Sequence, residues 1–359
     1  MRCIAISLAV IAALAGYLLL WPVPFVPVVW TPATAPSADA YPPNDRLRGI
    51  ERLADGVGRG PEGIAVDAQG RIYAGYDDGR VMRFDGDGTH GVVLANTGGR
   101  PLGISVGDKG LFVADARKGL LQIRDDGSVA VLSTAADGEP FRFVDDVAQS
   151  PVDPYVYFTD ASARFGIDQL MADVLEHGDT GRVLRYDPAS GETRTLMRGL
   201  HFANGIAVGP GASYLLVSET NEYRIWRYWL KGIRAGEREI FADNLPGFPD
   251  NLSLSDGRVW QALYAPRKPA LDAIAGKPLL RKLAYRLPAF LQPKPALRSW
   301  VLVFDLDGHL VRDLQYAGDR ADAHAPYGPV TSVRQHGGML YFGSIGDTAI
   351  GRLALPGAP

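Results

Sequence analysis

Short apolar runs alternate with glycine-containing turns along most of this chain, and the pattern indicates many short β-strands. One unit shows the order: the apolar run Ile64–Val66, then strands at Arg71–Gly75 and Arg80–Asp85, then an outer strand at Val92–Leu94. Similar units recur at a period of about 40 residues, and four strands per unit at that period are typical of β-propeller blades.

Six such units begin near residues 61, 101, 144, 203, 249 and 330, so the sequence predicts an all-β, six-bladed β-propeller over residues 46–355. The last unit lacks an outer strand, and we expect Gly49–Leu53 to supply it, because ring closure removes exposed sheet edges. Two of the intervals between the starts of successive units are longer than the others. We predict helical insertions there, in Ala163–His177 and in the basic stretch Arg267–Arg298.

Each unit opens with the same phrase: a variable residue, a small or polar residue, and then Ile, Val or Leu. Four of the variable residues carry side-chain oxygens. The innermost strands of a propeller line its central channel, so these four side chains are expected to meet near the axis. The six phrases are Glu62-Gly63-Ile64, Leu102-Gly103-Ile104, Asp145-Asp146-Val147, Asn204-Gly205-Ile206, Asp250-Asn251-Leu252 and Thr331-Ser332-Val333.

The four oxygen-bearing residues, Glu62, Asp145, Asn204 and Asp250, form a candidate metal site. Calcium prefers six to eight oxygen ligands, and three carboxylates with one amide match that preference, although another divalent cation is an alternative. Zinc is disfavoured here because none of the four is Cys or His. The competing interpretation is that acidic and amide side chains at strand starts bind only backbone groups.

The N-terminal stretch Ile4–Trp21 is almost wholly apolar, near the lower limit for spanning a bilayer, and follows Arg2. It is interpreted as a retained signal anchor over residues 1–21, with a cleaved signal peptide as the alternative. Residues 22–45 are rich in proline and predict an extended linker. The propeller is therefore expected on the exported, periplasmic or extracytoplasmic side of a membrane, or secreted if the stretch is cleaved.

Composition narrows the function further. The chain has 359 residues, 47% of them hydrophobic, and a formal net charge of −3, which argues against a nucleic-acid-binding protein. Its single cysteine, Cys3, excludes an intrachain disulfide and any cysteine-based metal site.

Longer phrases of the sequence carry further information, among them GPEGIAVD, DGEPFRFVDDVAQ, GRVLRYDP, RGLHFANGIAV, SETNEYRIWRYWLKG and GFPDNLSLSDGRVWQAL. Together they resemble the strictosidine synthase-like family, which includes adipocyte plasma membrane-associated protein-like members. That family belongs to a clan with gluconolactonase (senescence marker protein) and paraoxonase. The resemblance covers residues 45–353 and implies a six-bladed propeller with calcium at its centre.

The resemblance assigns calcium ligation to Glu62, Asn204 and Asp250, and to Asp145, where relatives usually have Asn. At two positions this sequence differs from the residues that relatives use for catalysis. Leu102 stands where paraoxonases have a histidine proposed to be catalytic, and residues 327–335 lack the glutamate that strictosidine synthase uses as its base. Strictosidine synthase activity is therefore not expected.

The leading hypothesis is a membrane-tethered, calcium-dependent hydrolase of small-molecule esters or lactones, an arylesterase or lactonase. Asp250 is the first candidate for the general base, and Asp145 acting through water is the second. His201 and His324 are either ordinary surface or core histidines or proton shuttles at the rim. Glu219 and Glu222 are interpreted as solvated loop residues. The alternative is a non-catalytic, membrane-anchored propeller that serves as a binding module.

The basic insertion also has two interpretations. Its Lys and Arg residues, among them Arg281 and Arg286, alternate with leucines. They either face anionic lipid or cap the site, or they belong to a solvated helical excursion.

Overall fold

A computed structural model describes residues 2–288, 290–292, 296–319 and 325–355 of the chain. Six four-stranded antiparallel sheets follow one another along the sequence, which confirms the predicted six-bladed β-propeller. The strands of the first three blades are Ile64–Val66, Ile72–Gly75, Arg80–Phe84 and Val92–Asn96; Pro101–Gly107, Gly110–Asp115, Gly119–Ile123 and Val129–Ser133; and Val144–Gln149, Val156–Asp160, Gly181–Asp187 and Glu192–Leu200.

A small hairpin, in which Ala135–Ala136 pairs with Glu139–Pro140, lies between the second and third blades. The fourth to sixth blades have the same organisation as the first three. The remaining strands are Ala203–Val208, Tyr214–Glu219, Arg224–Trp229 and Arg238–Ala242; Gly247–Ser255, Arg258–Pro266, Ser299–Phe304 and Leu310–Tyr316; and Ser332–His336, Met339–Gly343 and Ile350–Ala354.

The ring closes between the two ends of the propeller sequence. Glu51–Leu53 pairs antiparallel with Ile350–Ala354 and completes the sixth blade. Closure therefore uses the segment that the sequence predicted. The pairing covers the edge of Ile350–Ala354 and joins the two ends of the propeller sequence within one blade.

The described residues include four α-helices: α1 (Arg2–Leu20), α2 (Leu170–Glu176), α3 (Pro269–Ile274) and α4 (Pro278–Arg286). α2 occupies the first predicted insertion, and Leu170 at its start is exposed. Within the described residues, no helix is both long and apolar enough to cross a membrane. Membrane tethering remains a prediction.

The proline-rich segment that follows α1 has no regular secondary structure other than the 3₁₀ turn Ala38–Ala40, and it lies against the propeller. Phe25 is buried in a cluster with Phe165 and Leu175. The backbone N–H of Val28 donates to the carbonyl of Glu176 at the end of α2, at 2.8 Å. The Trp30 ring stacks on His177, with ring centroids 3.9 Å apart. The segment is therefore fixed to the helical insertions.

Two arginines of the basic insertion hold this segment. Arg281 is 2% exposed and donates to the carbonyl of Val28, and Arg286 is 9% exposed and donates to the carbonyls of Leu18 and Trp21 at the end of α1. Guanidinium groups are favourable at a helix C-terminus because they satisfy its free carbonyls. The interpretation that Arg281 and Arg286 face lipid is therefore wrong, because both are buried against backbone carbonyls.

Candidate metal centre

Neighbouring blades interlock through the second residue of the repeated phrase. An Asp146 carboxylate oxygen accepts a hydrogen bond from the backbone N–H of Ile206 in the next blade, at 2.9 Å. The Ser332 hydroxyl donates to the carbonyl of Glu62, at 2.7 Å, and so joins the last blade to the first. These contacts hold the starts of the innermost strands in one ring.

All four predicted ligands lie inside the protein. Glu62, Asp145, Asn204 and Asp250 are 2%, 3%, 5% and 7% exposed, respectively, although three of the four side chains are acidic. Acidic residues are almost never buried to this extent unless a partner compensates for the lost hydration. The burial therefore requires a proton, a hydrogen-bond donor or a cation at this position.

Hydrogen bonds satisfy only part of the site. One carboxylate oxygen of Glu62 accepts from the Asn251 side chain at 2.6 Å. Three buried oxygens, Glu62 Oε2, Asn204 Oδ1 and Asn251 Oδ1, have no hydrogen-bond partner among the described residues. Unpartnered buried acceptors are rare in folded proteins. Because every such acceptor here is a carboxylate or amide oxygen, the donor set fits a hard cation such as calcium.

The carboxylates at this position strongly influence one another. Burial raises the pKa of Glu62 well above its usual range, and the charges of Asp250, Asp145 and Asp146 raise it further. Burial and the neighbouring charges of Asp250 and Asp146 likewise raise the pKa of Asp145. These groups cannot all be ionised at neutral pH without a compensating positive charge.

Asp250 is the best-positioned candidate for a base. Burial raises its pKa to about 8, while contacts with the Asn204 side chain and the Asn251 backbone N–H act in the opposite direction. Its carbonyl accepts a hydrogen bond from the Gln261 side chain at 2.9 Å, which fixes the backbone. Burial raises the pKa of Tyr264, and the charge of Asp250 raises it further, so Tyr264 is a neighbour that the sequence did not reveal.

Arg100 is a second residue that the sequence analysis missed. It is 4% exposed and donates to the carbonyls of Gly60 and Pro101, at 2.9 and 3.3 Å. Its positive charge lowers the pKa of Glu62 and of Asp145, against the larger effect of burial. Its sequence signal was its position two residues before Leu102, the first residue of the second repeated phrase.

The two remaining positions of the repeat have structural roles. Leu102 is 2% exposed and packs with Phe143 and Phe202. The hydroxyl of Thr331 donates to the carbonyl of Glu62, at 3.1 Å, where the last blade meets the first. Neither residue offers a free acid or base to the channel.

The predicted ligands are not the most compact ionisable group in the chain. Among the described residues, two groups bring three acidic or histidine ligand atoms within 4.8 Å of one another, and Glu62, Asp145 and Asp250 do not form a third. One is the exposed hairpin group Asp305, Asp307 and His309. The other consists of His177, His201 and Glu222.

The surroundings of this group bear on the two glutamates that were interpreted as solvated loop residues. Glu219 is fully buried, and its carboxylate accepts hydrogen bonds from the Trp226 indole and the His201 backbone N–H, at 2.6 and 2.7 Å, so that interpretation is wrong for Glu219. Glu222 lies in a turn with 22% of its side chain exposed, 2.8 Å from a ring nitrogen of His177. The other predicted rim histidine, His324, lies outside the described residues.

The propeller and its oxygen-rich centre place the protein in the class of six-bladed β-propellers with a polar channel. The strictosidine synthase profile matches residues 145–233, and the N-terminal profile of the strictosidine synthase-like proteins matches residues 39–84. The chain belongs to the strictosidine synthase-like family.

Relatives cover nearly the whole chain. Strictosidine synthase-like protein 6 of Arabidopsis thaliana is 36% identical over 331 residues, which cover 89% of this chain and 86% of the relative. Adipocyte plasma membrane-associated protein of Rattus norvegicus is 32% identical, with 87% of this chain and 88% of the relative covered.

Solved structures share the fold at low sequence identity. A gluconolactonase from Xanthomonas campestris superposes with a TM-score of 0.60 at 21% identity and covers 94% of this chain and 99% of its own. Regucalcin from Agrobacterium tumefaciens, a calcium-binding protein, gives a TM-score of 0.55 at 15% identity, with coverage of 84% and 90%.

Proposed function

We propose that this protein is a calcium-dependent hydrolase of esters or lactones, tethered to a membrane by its N-terminal stretch. The observation that supports this most directly is the set of buried, unpartnered oxygens of Glu62, Asn204 and Asn251 beside the carboxylates of Asp145 and Asp250. A gluconolactonase and a calcium-binding regucalcin have the same fold, which is consistent with the proposal.

Glu62, Asp145, Asn204 and Asp250 would hold the cation. Bound there, calcium would polarise a substrate carbonyl and stabilise the negative charge that develops on its oxygen. Asp250 is the proposed general base. Burial raises its pKa to about 8, so in the metal-free chain it is mostly protonated at neutral pH, and it would act as a base only where the positive charge of a bound cation favours its ionised form. Asp145 is the second candidate, acting through a water molecule.

Hydrolysis of a panel of aryl esters and lactones tests the proposal. We expect the full-length chain to hydrolyse at least one member in the presence of calcium, to lose that activity in excess chelator, and to regain it when calcium is restored. Activity that is insensitive to chelator would contradict calcium dependence.

A binding module is the second candidate, and Leu102 and Thr331 favour it. Both residues are buried and committed to packing or to blade closure at positions where catalytic relatives are expected to carry reactive groups. A chain that binds calcium but hydrolyses no member of the panel would support the binding module and exclude the hydrolase. Strictosidine synthase activity is not proposed.

The stability of the metal-free chain is expected to fall as the pH rises. The raised pKa of Asp250, about 8, means that the native chain keeps a proton that the unfolded chain releases near pH 4. The contribution of this proton to the free energy of unfolding is fully present below about pH 4 and is lost as the pH rises towards 8. The free energy of unfolding falls by up to about 1.4 kcal/mol per pH unit for each titrating carboxylate.

Chemical unfolding in chelator at pH 5 to 8 measures this dependence. Saturating calcium is expected to abolish the decline, because a bound cation favours the ionised carboxylates. Stability in chelator that stays constant or increases over the same range would show that these carboxylates are compensated in another way.

A further inference from the structure

A second cluster of ligand-type side chains lies apart from the oxygen cluster described above. One ring nitrogen from each of His177 and His201 and one carboxylate oxygen of Glu222 all lie within 4.8 Å of one another. His177 ends α2, and Glu222 lies in the 3₁₀ turn Thr220–Glu222 after the second strand of the fourth blade. The fold therefore brings together three residues that are remote in the sequence.

The surrounding structure fixes the backbone of these residues. The His201 N–H donates to the buried carboxylate of Glu219, at 2.7 Å, and the Asn221 N–H donates to the His201 carbonyl, at 3.1 Å. His177 is 1% exposed and holds a left-handed backbone conformation at the end of α2, with φ of 56°. The three side chains are therefore presented from an ordered frame.

Hydrogen bonding indicates which nitrogen of His201 is free to bind a ligand. Its Nδ1 lies 3.2 Å from the His177 carbonyl, which only accepts hydrogen bonds, so Nδ1 carries the proton in the neutral ring. The lone pair is then on Nε2. Histidines that bind metals commonly donate their other ring N–H to a carbonyl in this way.

A separate observation points to a missing ligand. Asn221 is 3% exposed, and neither its side-chain oxygen nor its nitrogen has a hydrogen-bond partner among the described residues. Asn221 and His177 line the same small cavity, which is closed on one side by Trp30. Buried amides of this kind are normally satisfied by protein, water or an ion.

We propose that His177, His201 and Glu222 bind a zinc ion, with water or the side-chain oxygen of Asn221 as a further ligand. Two imidazoles and one carboxylate suit zinc, whereas the oxygen-only cluster around Asp250 suits calcium. The two sites are therefore distinguished by their donor atoms.

Zinc binding requires a local change at His201. The His177 and His201 rings are stacked, with centroids 4.4 Å apart and planes 20° from parallel, so their nitrogens do not point to one position. His201 is only partly buried, and zinc binding requires its ring to tilt while Nδ1 keeps its hydrogen bond to the His177 carbonyl. Trp30 stacks on the opposite face of His177, so a bound ion would hold α2 and the N-terminal segment against the fourth blade.

Equilibrium dialysis of the untagged, full-length chain against zinc chloride, with calcium saturating, tests this site. We expect one zinc ion per chain with a micromolar or lower Kd, and at least about 100-fold weaker binding in Glu222→Gln and in His201→Asn. His309→Asn is the matched control, because His309 belongs to the exposed group with Asp305 and Asp307, and it is expected to bind zinc normally.

Two further measurements make the result decisive. Cobalt substituted for zinc is expected to give visible absorption bands in the wild type that are lost in Glu222→Gln. Zinc is expected to raise the Tm of the wild type but not of Glu222→Gln, whose zinc-free Tm shows whether the variant is folded. Equal zinc binding by the wild type and a folded Glu222→Gln variant, or no stoichiometric binding by the wild type, would overturn the proposal.

Discussion

Asp250→Asn is expected to reduce kcat/KM for the best ester or lactone substrate by at least about 1000-fold, and to weaken calcium binding. The amide keeps the shape of the side chain but removes both its negative charge and its ability to accept a proton. Because Asp250 lies with Glu62, Asp145 and Asn204 at the channel, the substitution acts on both proposed roles.

Asp256→Asn is the matched control for this prediction. Asp256 lies in the exposed turn at the far end of the strand Gly247–Ser255, so the same chemical change occurs on the same hairpin away from the channel. We expect it to retain wild-type activity and calcium affinity. Full activity in Asp250→Asn would exclude Asp250 as the base and leave Asp145 as the candidate.

Gly205→Ala is expected to lower the free energy of unfolding by about 3 kcal/mol, near the upper end of the usual cost of overpacking. A Cβ atom there would lie 2.5 Å from Asn251 Cα, 2.6 Å from Leu252 N and 2.7 Å from the Asp250 carbonyl oxygen. All three atoms belong to the backbone of the next blade, so no side chain can move aside. The fourth and fifth blades must separate, and Asp250 must shift with them.

Chemical denaturation measures this effect, with Gly276→Ala as the control. A Cβ at Gly276 would lie 3.8 Å from its nearest neighbour, the Trp30 carbonyl oxygen, and needs no rearrangement. We expect the control to change stability by less than about 0.5 kcal/mol. Equal stability of the two variants would show that the blades tolerate a wider spacing at Gly205.

Gly205 also shows that the first and second residues of the repeated phrase have different roles. The sequence drew attention to its first residue as a ligand, whereas the second residue carries the contacts between blades. Where that residue is Gly205, a side chain would collide with the next blade; where it is Asp146 or Ser332, the side chain hydrogen-bonds to a neighbouring blade. Blade spacing and ligand position are thus set by adjacent residues.

The two helical insertions show what a local sequence pattern can and cannot predict. Their positions were predictable because they interrupt a regular repeat, but their contacts were not. Arg281 and Arg286 lie in a basic, leucine-containing pattern that is typical of a surface helix, yet both bind carbonyls of a segment some 250 residues earlier in the chain. A local pattern carries no information about such a remote partner.

The sequence by itself determined the six blades, the segment that closes the ring and the oxygen-bearing residues at the channel, because strand period and turn residues act locally and the repeat specifies equivalent positions. Only the tertiary structure decided which of those oxygens lack partners, that Arg100 lies beside them, and that Trp30 covers His177. It also placed His177 beside His201 and Glu222, which are 24 and 45 residues away in the sequence. These features depend on how separate segments pack, and long-range packing is not encoded in the periodicity of any one of them.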